Sequence, residues 1–291
     1  MKIWLDGKVL EAGAAKLPVT DHGLLYGDGV FEGIRVFSGN VFRLDDHLAR
    51  LAAGAKALDL ELPGGLSRIR EIVLETVRAH GEPEAYVRLV VTRGEGALGV
   101  DPTTCHDPKL FCIASDVHIY PDEKLAEGIA LVTASVRRPP PDVLDPRVKS
   151  LNYLNNVLAK GEARRQGADE ALLLNLSGHV AEAAVANLFA VLRGELVTPP
   201  VSDGALEGIT RRTLLELAGS LGIPAAERSL TRFDLFAADE VFLSGSGAGV
   251  VPVRSLDGRE IGSGRPGEVW SKLRRAYLDA APALGVPAFE L

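Results

Sequence analysis

The sequence contains little cysteine and no long apolar run. Its two cysteines, Cys105 and Cys112, are too few to form a disulfide framework for 291 residues, and their spacing matches no zinc site. Cys112 lies in an apolar strand-like run, which favours a buried thiol. No uncharged apolar stretch approaches the ~18 residues of a membrane-spanning helix, and no apolar signal-peptide core follows Met1. We therefore expect a cytoplasmic protein without a membrane span.

Basic residues are also in the minority, since the sequence has 32 lysines and arginines and 39 aspartates and glutamates. A chain this acidic gains little from counterion release, so we expect no nucleic-acid partner. The basic pairs Arg137–Arg138 and Arg211–Arg212 are interpreted as solvated faces or local phosphate contacts. The six histidines show no metal-ligand spacing, and neither a nucleophile elbow nor a Walker loop occurs. We therefore expect no metal site.

Turn residues and apolar periodicity predict an α/β (α+β) fold. Asp6–Gly7 lies between two short strand-like runs and Ser38–Gly39–Asn40 between two longer ones, so each segment is predicted to form a hairpin. Asp45 and Ser67 are predicted to cap the two helices that follow, and Gly81 to end the second. Further strands are predicted at 85–92, 110–115, 129–136, 170–175, 187–192 and 239–243, and helices near 152–166, 210–221 and 266–280.

The polar segment at 118–128, interrupted by Pro121, is predicted to link two domains. The first, at 1–117, is a smaller N-terminal α/β domain, and the second, at 129–291, is a larger C-terminal domain. A chain of 291 residues is long enough for two such cores.

Four segments of the chain could carry chemistry. A lysine before an apparent helix, Lys149, can use its amine for Schiff-base chemistry if its pocket is partly desolvated, and the alternative is an ordinary helix-start lysine. Glu182 lies among small apolar residues, where a buried acid needs a cationic partner and a surface acid needs none. The segment 208–210 starts a helical pattern and could bind an anion or only cap the helix. The small-residue loop at 244–249 could bind a phosphate or form a flexible turn.

These segments extend into an ordered set of motifs. The set comprises 26–35 (Tyr-Gly-Asp-Gly-Val-Phe-Glu-Gly-Ile-Arg), 42–51 (Phe-Arg-Leu-Asp-Asp-His-Leu-Ala-Arg-Leu), 149–156, 182–189, 208–210 and 241–253. Together they resemble the fold-type IV (class IV) pyridoxal phosphate enzymes, most of all the branched-chain amino acid aminotransferases. The resemblance implies two α/β domains with pyridoxal 5′-phosphate in the cleft between them, bound by the larger domain. It also implies a homodimer or larger homo-oligomer.

The resemblance assigns roles around the cofactor. Lys149 would bind it covalently and shuttle a proton, and Glu182 would keep the pyridine nitrogen protonated. Tyr153 would hydrogen-bond the ring hydroxyl. The residues implied to bind the phosphate are Arg50, Ile209, Thr210 and Ser246.

The resemblance also implies a substrate pocket for amino acids and 2-oxo acids. Tyr86 and the amides of Gly247 and Ala248 would bind the α-carboxylate, and Arg88 the side-chain carboxylate of glutamate. Gly33 would leave room near the cofactor. The apolar walls would be Tyr26, Phe31 and Tyr120, with a residue of the 96–100 loop from the partner subunit. The expected reaction is ping-pong amino transfer from L-leucine, L-isoleucine or L-valine to 2-oxoglutarate.

Several departures from the family pattern leave alternatives open. Gly249 and Val251 stand where the family has glutamate and threonine, and Val185 replaces a small residue. The spacing from Lys149 to Tyr153 is one residue shorter than in some branched-chain enzymes and resembles D-amino acid aminotransferases. A D-amino acid aminotransferase, an (R)-amine transaminase, a 4-amino-4-deoxychorismate lyase and a non-catalytic pyridoxal phosphate-binding protein are the alternatives.

Overall fold

The computed structural model describes residues 1–117 and 120–289, and the chain divides into two compact units. The first unit comprises Met1–Val117, Val148–Asn152 and Ala280–Leu291, and the second comprises His118–Arg147 and Tyr153–Asp279. The domain boundaries predicted from the sequence include neither of the two later returns of the chain to the first unit. Within the predicted linker, Asp122–Glu127 is a short helix, and residues 118 and 119 lie outside the described residues.

Strands and helices alternate along the described residues, which confirms the predicted α/β (α+β) class. The strands are β1 (Lys2–Leu5), β2 (Lys8–Glu11), β3 (Gly29–Phe37), β4 (Asn40–Phe42), β5 (Ala85–Thr92), β6 (Leu110–Ser115), β7 (Ile129–Thr133), β8 (Glu170–Leu174), β9 (Val180–Ala183), β10 (Asn187–Leu192), β11 (Glu195–Thr198), β12 (Ala225–Glu227), β13 (Glu240–Gly245), β14 (Gly249–Leu256), β15 (Arg259–Glu260) and β16 (Gly285–Pro287). The helices are α1 (His22–Tyr26), α2 (Leu44–Ala57), α3 (Gly65–His80), α4 (Asp122–Glu127), α5 (Pro141–Leu144), α6 (Leu154–Arg165), α7 (Ile209–Ser220), α8 (Arg232–Phe236) and α9 (Glu268–Ala280).

In the first unit, the described residues form an antiparallel sheet in the order β16-β4-β3-β5-β6-β1-β2. Both predicted hairpins are confirmed. Asp6 and Gly7 have φ angles of 48° and 80°, which matches the primed turn that suits the twist of the strands. Helices α2 and α3 pack on the sheet around an apolar core. Cys112 is buried in that core as predicted, and burial raises its pKa to about 12.

The predicted starts of α2 and α3 are wrong by two and three residues, respectively. Helix α2 begins at Leu44, directly after Arg43, so Asp45 lies in its first turn. There the negative charge of Asp45 interacts favourably with the positive end of the helix dipole. Helix α3 begins at Gly65, so Ser67 also lies inside the first turn. The predicted end is confirmed, because Gly81 takes the left-handed conformation that closes a helix, with φ 86°.

In the second unit, the described residues form a mixed sheet in the order β12-β11-β10-β13-β14-β7-β8-β9, with β15 beside β14. Pairs β11–β12, β14–β7 and β7–β8 are parallel, and the others are antiparallel. Strand β9 was not predicted. It pairs with β8 and is buried along its whole length.

None of the helices within 1–117 and 120–289 combines the length and apolar character that crossing a lipid bilayer demands.

Candidate active site

Lys149 lies in a short extended segment beside β3, and not on the helix that follows it. The Lys149 carbonyl accepts a hydrogen bond from the Phe31 amide at 3.0 Å, and the Leu151 amide donates to the Gly29 carbonyl at 2.9 Å. These two bonds attach the segment to the strand. The Lys149 Nζ lies 4.5 Å from the centre of the Phe31 ring, which is a cation–π distance. The amine therefore lies on the sheet face that carries Phe31.

A buried carboxylate, Glu32, holds two partners on α2. The Arg50 guanidinium donates from Nε at 2.8 Å and from Nη2 at 2.7 Å to the two carboxylate oxygens, and His47 Nδ1 lies 2.7 Å from Oε2. Burial raises the pKa of Glu32, but Arg50 and His47 outweigh it and hold that pKa at about 2. Burial lowers the pKa of His47 more than Glu32 raises it. We therefore take His47 as a neutral ring that donates its Nδ1 hydrogen to ionised Glu32, while Arg50 supplies the positive charge.

This cluster fixes the guanidinium of Arg50, the predicted phosphate ligand. The fork-shaped pairing with Glu32 allows one orientation of the guanidinium plane. No role was predicted for Glu32 or His47 from the sequence. The available signal was an acid inside the otherwise apolar run Val30–Ile34, where an ionised side chain needs a buried cation.

Four predicted substrate residues of the first unit share one face of β3 and β5, namely Phe31, Gly33, Tyr86 and Arg88. Gly33 pairs with Arg88 in the sheet register, so residues two positions away on either strand project from the same face. The Arg88 guanidinium lies 4.5 Å from the centre of the Phe31 ring and 5.7 Å from that of Tyr86. A Cβ on Gly33 would overlap the Tyr86 hydroxyl oxygen and lie 3.0 Å from Tyr86 Cζ. The glycine therefore provides the space that the phenol occupies.

Tyr26, predicted as a pocket wall, anchors the 96–100 loop. Its hydroxyl accepts a hydrogen bond from the Gly99 amide at 2.8 Å. Its ring packs edge-on against His22 with 4.8 Å between centroids, and His22 Nε2 lies 2.9 Å from the Ala97 carbonyl oxygen. Leu98, at the centre of the loop, is 83% exposed. Helix α1 thus holds a loop that presents an apolar side chain to solvent.

In the second unit, Glu182 is a buried acid on β9 with three hydrogen-bond donors. Arg138 Nη2 donates to its Oε1 at 2.5 Å, and Asn187 Nδ2 and the Leu206 amide each donate to its Oε2 at 3.0 Å. A carboxylate that accepts charge-assisted and backbone bonds of this kind is stabilised in its ionised form. The surface-acid alternative for Glu182 does not fit its 5% exposure.

The partner of Glu182 corrects one interpretation of the sequence. Arg138 and Arg211 are buried, so the interpretation of their basic pairs as solvated faces is wrong for these two members. Arg138 also donates to the Gly204 carbonyl at 3.0 Å and to Asn156 Oδ1 at 3.2 Å. Its guanidinium is therefore part of a buried hydrogen-bond network around Glu182.

The start of α7 has the features of an anion site. Gly208 is the residue before the helix, and Ile209 and Thr210 are its first two residues, so their amides belong to the group that lacks partners within the helix. The Thr210 hydroxyl is buried and has no hydrogen-bond partner among the described residues. The cap-threonine alternative does not apply, since Gly208 occupies the cap position. A buried hydroxyl and free helical amides together suit a phosphate group.

The predicted residues 246–248 form the turn between β13 and β14, and all three are half-buried. Tyr153 occupies the residue before α6. Tyr120 packs against the core of the second sheet, where burial and the neighbouring Glu170 raise its pKa. Its predicted role as a pocket wall stays a prediction. Among the side chains of 1–117 and 120–289, no three acidic, histidine or cysteine groups cluster as a metal site.

Comparison with known proteins places these residues in a family. Residues 29–256 match the class IV amino-transferases. The chain is 47% identical over 290 residues, 100% of both chains, to a Methanocaldococcus jannaschii protein that carries a provisional name as a branched-chain-amino-acid aminotransferase. It is 36% identical over 281 residues to the branched-chain-amino-acid aminotransferase of Escherichia coli, covering 94% of this chain and 91% of that one.

Solved structures agree with these relatives. The crystal structure of the Escherichia coli branched-chain amino acid aminotransferase has a TM-score of 0.93 at 35% identity, covering 98% of this chain and 95% of that one. The branched-chain amino acid aminotransferase from Thermobaculum terrenum, in its pyridoxal phosphate form, has a TM-score of 0.87 at 30% identity, covering 97% and 94%. The chain therefore belongs to the class IV aminotransferases and is a pyridoxal phosphate-dependent transaminase of the branched-chain aminotransferase type.

Proposed function

We propose that this enzyme transfers the amino group of L-leucine, L-isoleucine or L-valine to 2-oxoglutarate by a ping-pong mechanism. The observation that carries the proposal is the β3–β5 face, where the Arg88 guanidinium lies beside the Phe31 ring. A branched apolar side chain packs on the ring, and the side-chain carboxylate of glutamate pairs with the guanidinium. One pocket can thus accept both partners of the exchange.

The residues of the chain fit pyridoxal 5′-phosphate at three points. The buried Thr210 hydroxyl at the start of α7, without a partner among the described residues, suits the phosphate. The buried acid Glu182 suits a protonated pyridine nitrogen, and Lys149 supplies the amine for covalent attachment. When bound, the cofactor serves as an electron sink for the substrate Cα.

Each side chain then has a defined task in the proposal. Lys149 Nζ would move the proton from the substrate Cα to the cofactor C4′ in one half-reaction and in the opposite direction in the other. Arg50, oriented by Glu32, binds the phosphate together with the amides of Ile209 and Thr210. The Ser246 hydroxyl completes the phosphate contacts, and the Tyr153 phenol hydrogen-bonds the ring hydroxyl.

Substrate orientation is assigned to a second set of groups. The Tyr86 hydroxyl and the amides of Gly247 and Ala248 bind the α-carboxylate, because amide and phenol hydrogens aimed at an anion fix its position. Gly33 permits the phenol to lie close to the sheet. Tyr26 contributes through the loop that it anchors.

The proposal is tested by quantifying both products from L-leucine and 2-oxoglutarate. Equal amounts of 4-methyl-2-oxopentanoate and L-glutamate with the wild-type enzyme, and neither product with Lys149→Ala, support it. Consumption of D-alanine or (R)-1-phenylethylamine without consumption of L-leucine overturns the substrate class. Consumption of D-alanine would assign the enzyme to the D-amino acid aminotransferases, which the Lys149–Tyr153 spacing resembles, and consumption of the amine would assign it to the (R)-amine transaminases.

We also propose that the enzyme assembles as a homodimer or larger homo-oligomer. On α6, Leu154, Val157 and Leu158 are exposed by 69%, 60% and 51%, and their spacing places them on one side of the helix. A contiguous exposed apolar stripe is typical of a protein–protein interface. The exposed Leu98 in the Tyr26-anchored loop supports a second contact region.

A further inference from the structure

Asn187 forms hydrogen bonds to two functional segments of the second unit. It is the first residue of β10 and is 5% exposed. Its Nδ2 donates to Glu182 Oε2 at 3.0 Å and to the Leu206 carbonyl at 2.9 Å. The two hydrogens of one carboxamide nitrogen account for both bonds. Asn187 therefore joins the acid on β9 to the segment that leads into α7.

The oxygen of the same carboxamide defines the space before α7. A Cβ on Gly208 would overlap Asn187 Oδ1 and lie 3.1 Å from Asn187 Cγ. The backbone of Gly208 is extended, with φ −72° and ψ 132°, so an alanine there is compatible with the backbone but not with the neighbouring side chain. The requirement for glycine at 208 is a packing requirement set first by Asn187 Oδ1 and, less severely, by Arg211, whose Cβ would lie 3.2 Å away.

A second bond closes the connection. The Leu206 amide donates to Glu182 Oε2 at 3.0 Å. Leu206 is therefore linked to the acid twice, directly through its N–H and indirectly through its carbonyl, which accepts from Asn187. Three residues beyond Leu206, α7 begins, with the buried Thr210 hydroxyl in its first turn. A displacement of the carboxamide would therefore shift both the acid and the start of the helix.

We propose that Asn187 is a positioning residue that couples the acid for the cofactor ring nitrogen to the phosphate-binding start of α7. The inference rests on the proposed function, which assigns the ring nitrogen to Glu182 and the phosphate to Thr210. The ring nitrogen and the phosphate belong to one rigid ligand, so the groups that bind them must stay at a fixed separation. Asn187, which contacts both Glu182 and the segment that leads into α7, sets that separation. Aspartate cannot replace this group, because it lacks the two donors and places a second negative charge beside Glu182.

A residue that only held Glu182 would act differently. Its loss would weaken the ring-nitrogen contact and leave the phosphate contact intact. Pyridoxal and pyridoxal 5′-phosphate differ only in the phosphate. The dissociation constant of pyridoxal divided by that of pyridoxal 5′-phosphate, called the affinity ratio, therefore measures the phosphate contribution. Coupling predicts that this ratio falls when Asn187 is changed, whereas a local role predicts that both constants rise by the same factor.

The experiment titrates cofactor-free protein with each ligand and follows tryptophan fluorescence. Asn187→Ala is expected to weaken pyridoxal 5′-phosphate binding by about tenfold or more and pyridoxal binding by less, since it removes a bond to a charged group and a bond to the helix segment. Asn175→Ala is the matched control, because Asn175 also joins two segments of this unit, with Nδ2 donating to the Asp203 carbonyl at 3.2 Å. Its affinity ratio is expected to equal that of the wild type.

Gly208→Ala examines the same contact while Asn187 is retained. Alone, it is expected to lower the affinity ratio, and in the Asn187→Ala background its effect is expected to shrink to that of the remaining contact with Arg211 Cβ, because the overlap with Asn187 Oδ1 is gone. An unchanged ratio in Asn187→Ala and Gly208→Ala, with wild-type binding intact, would overturn the coupling. Failure of the wild-type protein to bind either ligand would instead overturn the proposed function.

Discussion

The Tyr86 phenol packs over the Cα of Gly33, its diagonal neighbour across the β3–β5 pair. A Cβ at position 33 would overlap the hydroxyl oxygen. The backbone of Gly33 lies within a regular strand, and the glycine is required by the neighbouring side chain. The position of the proposed α-carboxylate ligand thus depends on a residue without a side chain.

Gly33→Ala is expected to raise the KM for L-leucine by about tenfold, because the displaced phenol loses a hydrogen bond to the substrate carboxylate. Cofactor affinity is expected to stay at the wild-type value. The matched control is Gly54→Ala, whose Cβ would make an ordinary contact with Val30 at 3.4 Å. Steady-state kinetics and cofactor titration check both variants, and an unchanged KM in Gly33→Ala would contradict the assigned role of Tyr86.

Arg88→Met is expected to separate the two half-reactions. It removes the guanidinium but keeps an apolar side chain, so kcat/KM for L-glutamate should fall by about 10- to 100-fold while that for L-leucine changes little. Arg35→Met is the control, since Arg35, on β3, projects from the same face of the sheet as Arg88 but pairs with Glu84. Equal losses for both substrates in Arg88→Met would remove the assignment of Arg88 to the glutamate carboxylate.

Glu32→Gln is expected to destabilise the cofactor-free protein at pH 7 by on the order of 3 kcal/mol. The folded pKa of Glu32 is about 2, below its ordinary 4.5. Its stabilising contribution is therefore fully present above about pH 4.5 and is lost as the pH falls toward 2. Urea unfolding of the wild type and of Glu32→Gln should show a difference in the free energy of unfolding that is constant above about pH 4.5 and shrinks below it.

Glu84→Gln serves as the comparison for this prediction. Glu84 pairs with Arg35 but its side chain is 49% exposed, so its contribution should stay below about 1 kcal/mol. A Glu32→Gln difference that is absent at pH 7, or that does not depend on pH, would show that Glu32 is not ionised opposite Arg50.

Val157→Glu is expected to shift the enzyme from an oligomer toward a monomer, because a charge would be buried in the proposed interface. Val143→Glu changes another exposed valine, on α5, and should leave the assembly unchanged. Light scattering coupled to size-exclusion chromatography measures the mass of each. A monomeric wild-type enzyme, or an unchanged mass in Val157→Glu, would contradict the assignment of the α6 stripe.

Local turn chemistry made much of the first unit predictable. Asp6–Gly7 and Gly81 require positive φ angles that few residues adopt, and both predictions were confirmed. Strand β9 was missed because Val180–Ala183 contains two alanines and a glutamate, which are weak strand formers, and its conformation depends on pairing with β8.

Local sequence alone left a helix-start lysine and a surface acid open as alternatives for Lys149 and Glu182. Only the family motifs predicted both as site residues. The burial of Arg138 could not be predicted, because its partner Glu182 lies 44 residues away in the chain. The two returns of the chain to the first unit also depend on long-range pairing, since β16 joins β4.

The most direct measurement is the absorbance spectrum of the purified enzyme during titration with L-leucine, and separately with D-alanine and (R)-1-phenylethylamine. L-Leucine is expected to remove the visible band of the lysine-bound cofactor and to produce the pyridoxamine form, and Lys149→Ala is expected to lack this band. A response only to D-alanine or the amine would contradict the branched-chain assignment. A wild-type protein that shows no visible band after addition of pyridoxal 5′-phosphate would contradict the assignment of Lys149 as the residue that carries the cofactor.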